Sequence, residues 1–219
     1  MAIVQTEAYW KEQEQKLIEK LNNIDLSSST TRIYCLGDCY TYGTGIKSWM
    51  NYPNKLQYEL GKNYEVYNLG RTMITMATIL EYNNLFSKIT EDKNSIVILW
   101  AGTNDIALKD DVNMVYHYFS SYCKKLKEHD IITIGITMLP RIIKELNIEP
   151  LRILFNRVIY ENRKEYADYI LDVSKITEIG IEQTPKYYLM YETHLNEEGY
   201  EFIYNPLANL IKIMNYKMW

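Results

Sequence analysis

A cysteine that directly follows a short apolar run, with glycines close behind it, stands where a side chain can meet a substrate. Gly37-Asp38-Cys39 closes the β-rich run Arg32-Ile-Tyr-Cys-Leu36, and Gly43 and Gly45 follow to permit tight backbone turns. A thiol there, beside backbone N–H groups, is favoured as thiolate and hence as a nucleophile. The plainer reading, a small buried hydrophobe, is the one we assign to Cys35 and Cys123. A nucleophile needs a base, and His194 is the candidate by context. It lies in Tyr191-Glu-Thr-His-Leu-Asn-Glu-Glu-Gly199, at the junction of a loop with the final apolar-periodic segment Tyr200 to Met214. His117 and His129 fall on helices or their ends and are read as structural. The three cysteines are scattered and odd in number, so neither a disulfide framework nor a structural zinc site follows.

The elements that must bring Cys39 and His194 together are legible as periodicities. Beyond the run at 32–36, Tyr64 to Leu69, Ser95 to Trp100, Ile131 to Met138 and Asp168 to Val173 are apolar runs of strand length, separated by stretches of helical character. Near-continuous apolar runs suit strands buried on both faces, which predicts a parallel sheet with helices on each side. In such sheets reactive groups collect at the carboxyl ends of the strands. Three polar clusters obey that rule: Gly37-Asp38-Cys39 after the first strand, Asn68-Leu69-Gly70-Arg71 after the second, Gly102-Thr103-Asn104-Asp105 after the third. Trp10, Leu17, Ile18 and Leu21 predict an amphipathic helix near the amino terminus, and Leu151 to Tyr166 a second helix whose stripe through Leu154 and Val158 faces the core. Pro140 and Pro150 bracket an inserted segment.

With 219 residues, 47% hydrophobic and 24% charged, the chain suits one domain spanning 1–219, residues 1–30 forming an N-terminal helix and link. A formal charge of −4 argues against nucleic acid as a partner. The amino terminus lacks a basic region followed by an apolar stretch, and no segment reaches the length of a bilayer span. The expectation is a cytoplasmic protein with no membrane partner. Arg71, Arg141 and Lys144 are candidates to meet an anionic substrate, although surface charges are by default simply solvated.

Taken together, these blocks resemble the SGNH (GDSL-type) hydrolases, a family of esterases and acyltransferases. Gly37-Asp38-Cys39 is similar to its Gly-Asp-Ser block, Gly102-Thr103-Asn104-Asp105 to its Gly-x-Asn-Asp block, and His194-Leu-Asn to its last block. The resemblance covers about residues 32 to 215 and implies a three-layer α/β/α, flavodoxin-like fold with a five-stranded parallel sheet. It implies Cys39 as nucleophile, His194 as base, and an oxyanion hole from the backbone of Cys39 and of Gly70 or Met73 together with the Asn104 side chain. Asp38, Gly102 and Asp105 would support these groups by organising the loops. Three departures stand out. Sulfur replaces oxygen at residue 39; Met73 stands where the family's second-block glycine is usual; and Tyr191 stands where the family has its acid, leaving Glu192 as the nearest carboxylate to His194. A cysteine that pre-ionises against an imidazolium depends less on an orienting carboxylate, so a Cys39–His194 dyad is chemically coherent. The expected function is acyl transfer, or ester or thioester hydrolysis, through a Cys39 thioester. The partner is a small acyl substrate such as a coenzyme A or carrier-protein thioester, and no cofactor or metal is required. The alternatives are an ordinary ester hydrolase and a binding protein that keeps the crevice without turnover. The oligomeric state is not legible in the sequence.

Overall fold

A computed structural model of the chain describes residues 7–140, 148–174, 184–189 and 194–217. In chain order the elements are α1 (Glu7–Asn22), β1 (Thr31–Gly37), α2 (Cys39–Tyr42), α3 (Tyr52–Leu60), β2 (Tyr64–Gly70), α4 (Met76–Glu81), α5 (Asn83–Glu91), β3 (Ser95–Trp100), α6 (Thr103–Ala107), α7 (Val112–Lys127), β4 (Ile132–Ile136), α8 (Glu149–Glu161), β5 (Tyr169–Leu171) and α9 (Glu197–Lys217). The five strands pair in parallel in the order β2-β1-β3-β4-β5. The chain begins in the middle of the sheet, winds to one edge, returns, and winds to the other. Strand order therefore reverses between β1 and β3, and a crevice opens there at the carboxyl ends.

Alternation along the strands divides the core in two. Ile33 and Cys35 of β1 and Ile96, Ile98 and Trp100 of β3 face the layer containing Tyr52 and Leu56 of α3 and Tyr200, Leu207 and Ile211 of α9. Tyr34, Leu36, Val97 and Leu99 face the opposite layer, with Ile79 of α4, Ile89 of α5, Phe119 and Cys123 of α7 and Phe155 of α8. Both sheet faces are dry, which is why the strands read as unbroken apolar runs. Cys35 and Cys123 are fully buried, and burial pushes both thiols up, as befits packing residues rather than nucleophiles.

The α8 stripe corrects the sequence expectation. Leu154 is exposed and Val158 only half-buried, whereas Arg152, Phe155, Asn156 and Ile159 face inward. Two of those four are polar, and the end of β4 explains them. Arg152 Nη1 and Asn156 Nδ2 donate to the Met138 carbonyl at 3.1 and 2.8 Å, and Asn156 Oδ1 accepts from the Met138 N–H at 2.7 Å. Buried polar side chains satisfied by backbone are invisible to an apolar count. The segment bracketed by Pro140 and Pro150 falls largely outside the described residues. At the amino-terminal end of the sheet, away from the crevice, Arg32 and Asp92 form a buried ion pair, with Arg32 Nε and Nη2 at 2.5 and 2.8 Å from the carboxylate and the Tyr34 hydroxyl donating to it at 2.9 Å. Among the described residues no helix is long and apolar enough to cross a membrane.

Candidate active site

Cys39 is the first residue of α2, a single turn. Asp38 ahead of it is buried and caps that turn, its Oδ1 accepting the Tyr40 N–H at 3.0 Å, while its own N–H donates to the Trp100 carbonyl at the end of β3 at 3.2 Å. The turn closes on Gly43 in the left-handed region (φ 89°), and the Cys39 carbonyl accepts the N–H groups of Gly43 and Thr44 at 3.0 and 3.1 Å. Cys39 itself is 8% exposed, within reach of the crevice but largely out of water.

The segment after β2 lies alongside. The Arg71 N–H donates to the Gly37 carbonyl at 2.9 Å, which fixes the segment to the end of β1. Gly70 takes a different part from the oxyanion donor expected of it. Its N–H donates to Asn68 Oδ1 at 2.9 Å, and a Cβ there would fall 2.2 Å from the Tyr42 nitrogen, so the glycine serves close packing of α2 on β2. Met73, the other candidate on this side, stands three residues further on. It occupies the left-handed region (φ 63°) although it is not glycine, and its side chain is 82% exposed.

From β3, Gly102 (φ 108°) turns the chain into α6, and a Cβ on it would lie 2.6 Å from Met138 Cε. The second and third residues of α6 reach across to the loop after β2. Asn104 Nδ2 donates to the Ile74 carbonyl at 2.7 Å, and both oxygens of the buried Asp105 carboxylate accept the Met76 N–H, at 2.9 and 3.1 Å. Burial pushes the Asp105 carboxyl up to about 6, against the opposing pull of the Met76 N–H. An amide carries two N–H donors, so Asn104 can hold Ile74 with one and address a ligand with the other.

His194 is half-buried, and its backbone carbonyl accepts the Leu189 N–H at 2.9 Å beside the antiparallel bridge of Tyr188 to Leu195. Asn196 then caps α9, its Oδ1 accepting the Gly199 N–H at 2.9 Å. Two contacts bring this segment onto the Cys39 turn. The His194 ring lies 5.9 Å from that of Tyr40, and the Tyr200 hydroxyl donates to the Tyr40 carbonyl at 2.7 Å. Burial pushes the Tyr200 hydroxyl well up, and proximity to Cys39 and Asp38 pushes it further. Tyr40 in turn stacks on Trp100 at 5.1 Å, and the Trp100 indole N–H donates to the Thr137 carbonyl at 3.0 Å, which ties the ring beside the imidazole to the sheet. Asp38, Cys39, Gly70, Met73, Gly102, Asn104, Asp105 and His194 thus stand at one end of the sheet. Glu192 and Tyr191 lie outside the described residues.

Sequence reasoning missed Tyr40, Tyr200, the Ile74 carbonyl and the Met76 N–H. The last two are backbone groups that no residue type announces. His117 and His129 are exposed on and after α7. Among the described residues no cluster of three or more His, Cys, Asp or Glu side chains could hold a metal ion.

The arrangement offers a thiol, an imidazole and a carboxamide around a crevice at the strand-order reversal. Solved structures with the same fold include a member of the lipolytic G-D-S-L family from Veillonella parvula, 18% identical, with TM-score 0.67 over 80% of this chain and 95% of that one. A psychrotrophic esterase from Pseudoalteromonas is 14% identical, with TM-score 0.69 over 85% and 99%. A lipase/acylhydrolase from Enterococcus faecalis is 16% identical, with TM-score 0.69 over 84% and 96%. No curated protein matches the sequence. The model of the GDSL-like lipase/acylhydrolase family matches residues 35–202, most of the chain and every described site residue above, and the chain belongs to that family.

Proposed function

We propose that the protein transfers acyl groups through a thioester on Cys39, with His194 as the base and water as one possible acceptor. The observation that carries this reading is the docking of the His194 segment on the turn that begins with Cys39, through the Tyr40 ring and the Tyr200 hydroxyl. The Cys39 sulfur attacks the carbonyl carbon of an ester or thioester, and His194 takes the thiol proton. The carbonyl oxygen becomes an oxyanion, met by the second Asn104 N–H and by backbone N–H groups of Cys39 and Met73. When the tetrahedral species collapses, the bond to the leaving oxygen or sulfur breaks and His194 returns the proton to it. An acceptor amine, thiol or water then attacks the thioester, gives its proton to His194, and restores the thiol.

Sulfur at position 39 supports transfer over simple hydrolysis, because thioesters react with nitrogen and sulfur nucleophiles more readily, relative to water, than oxygen esters do. The test is intact-protein mass spectrometry after incubation with p-nitrophenyl acetate and with acyl thioesters. Wild type is expected to gain an acyl mass and Cys39→Ala none, and the adduct should discharge faster when an amine or thiol is added than in buffer alone. Equal discharge in buffer makes the protein a hydrolase. Labelling that persists in Cys39→Ala removes the cysteine from the mechanism.

A further inference from the structure

We propose that a cavity beside the candidate active site, roofed by α1, binds a small amphipathic organic anion. The cavity holds about 450 Å³, the size of a small-molecule site, and it is lined by Trp10, Leu17 and Lys20 from α1, Tyr42 from the end of α2, Arg71 from the segment after β2, and Tyr82. The family match begins at residue 35, so α1 lies outside it, and the cavity joins the matched region to an element that precedes it. Its wall at Tyr42 is one helical turn from Cys39, and Arg71 is two residues from Met73. The proposal concerns binding alone and does not rest on chemistry at Cys39.

Charge argues for an anion. The described residues lining the cavity supply three cations, Lys16, Lys20 and Arg71, and no carboxylate, in a chain of net charge −4. Lys16 pairs with Glu12 at 2.6 Å, which leaves Lys20 and Arg71. The Arg71 guanidinium lies 5.5 Å over the Trp10 ring and donates to the Tyr82 hydroxyl, while Lys20 Nζ lies 4.8 Å over the Tyr67 ring, at the border with a second cavity that Asp25 and Glu65 also line. Aromatic faces and a phenol orient a guanidinium without neutralising it. Trp10, Leu17 and Tyr42 offer the apolar surface for the body of the ligand, and Arg71 would take a carboxylate or phosphate head, with Lys20 at the rim adding to the attraction.

The test titrates the folded full-length chain with 1-anilinonaphthalene-8-sulfonate and, in parallel, with N-phenyl-1-naphthylamine, which has the same aromatic body and no charge. The anion is expected to bind about tenfold more tightly, the effect of one charge-assisted contact. Arg71→Gln and Lys20→Gln are each expected to weaken the anion about five- to tenfold while leaving the neutral probe unchanged. Trp10→Phe should remove much of the energy transfer from protein to bound anion, which places the probe in this cavity. Lys20 is exposed, so its variant keeps the test sound if Arg71→Gln loses stability along with its Trp10 and Tyr82 contacts. Competition by hexanoate and by hexyl phosphate then distinguishes a carboxylate head from a phosphate. Equal affinity for the two probes, an unchanged anion affinity in both charge variants, or undiminished transfer in Trp10→Phe each overturns the proposal, as does failure of both competitors.

Discussion

Replacing Asp105 by asparagine tests how the crevice is held together, because this carboxyl group is buried, ionisable and bonded to the loop that carries Met73. It is 1% exposed, and its pKa is pushed from an ordinary 3.8 to about 6, chiefly by burial. A raised carboxyl pKa means that the folded protein holds the proton more tightly than the unfolded chain between those two values. Over that window stability falls as pH rises, and above about 6 the full cost of the buried charge is present. Each pH unit is worth about 1.4 kcal/mol, so the carboxyl group alone lowers the unfolding free energy by about 3 kcal/mol between pH 3.8 and 6. Asparagine keeps an oxygen for the Met76 N–H and does not titrate. The quantity to measure is the difference between the urea-unfolding free energies of Asp105→Asn and wild type, followed by tryptophan fluorescence from about pH 3.5 to 8. Groups common to both proteins cancel in it. The difference should move in favour of the variant by about 3 kcal/mol across the window and stay level above it. A difference constant to within about 0.5 kcal/mol, or one that moves toward wild type, refutes the assignment of a buried, reluctantly charged Asp105.

Asn104→Ala removes both the bond to the Ile74 carbonyl and the proposed oxyanion donor, and should slow Cys39 acylation by about 10²-fold or more in a stopped mass-spectrometric time course. Met73→Val should destabilise by about 1–2 kcal/mol in urea titration, because a β-branched side chain resists φ 63°, whereas Met73→Gly should be close to neutral since the exposed methionine side chain packs on little. Asp92→Ala strands the buried Arg32 guanidinium and should cost about 3–5 kcal/mol of stability, while the fraction that stays folded acylates at the wild-type rate, since the pair lies at the far end of the sheet.

The five strands were legible because both sheet faces are buried, so each strand is announced by a run of apolar residues, and the polar clusters at their ends were legible because Gly, Asp and Asn break those runs. The end of β4 shows the limit. Its backbone is bonded to Arg152 and Asn156, which reversed the expected inward face of α8 by putting two polar residues where apolar ones were sought. Tyrosines were similarly opaque. Among 21 of them nothing marks Tyr40 and Tyr200 as the pair that docks the His194 segment onto the cysteine turn, because their part depends on a contact 160 residues apart. The family resemblance implies Gly70 or Met73 as a donor, yet what the fold takes from Gly70 is the missing Cβ, a steric property visible only once α2 and β2 are seen in contact.

The same contrast bears on Met73, one of the positions where the sequence departs from the family pattern. A glycine in the second block would enter the left-handed region without cost, whereas Met73 enters it at about 1–2 kcal/mol. Something must hold it there, and two bonds to the residues just after it do so. Asn104 grips the Ile74 carbonyl and Asp105 grips the Met76 N–H, and at about 0.5–1.5 kcal/mol net for each hydrogen bond the two together match the strain. The clamp comes from the third block, whose Asn104 is also the proposed oxyanion donor. Loop geometry and catalytic geometry are then set by the same pair of neighbouring side chains. A substitution at either should disturb the Met73 N–H as well as its own contact, so an Asn104→Ala, Met73→Val double variant should lose less acylation rate than the product of the two single losses.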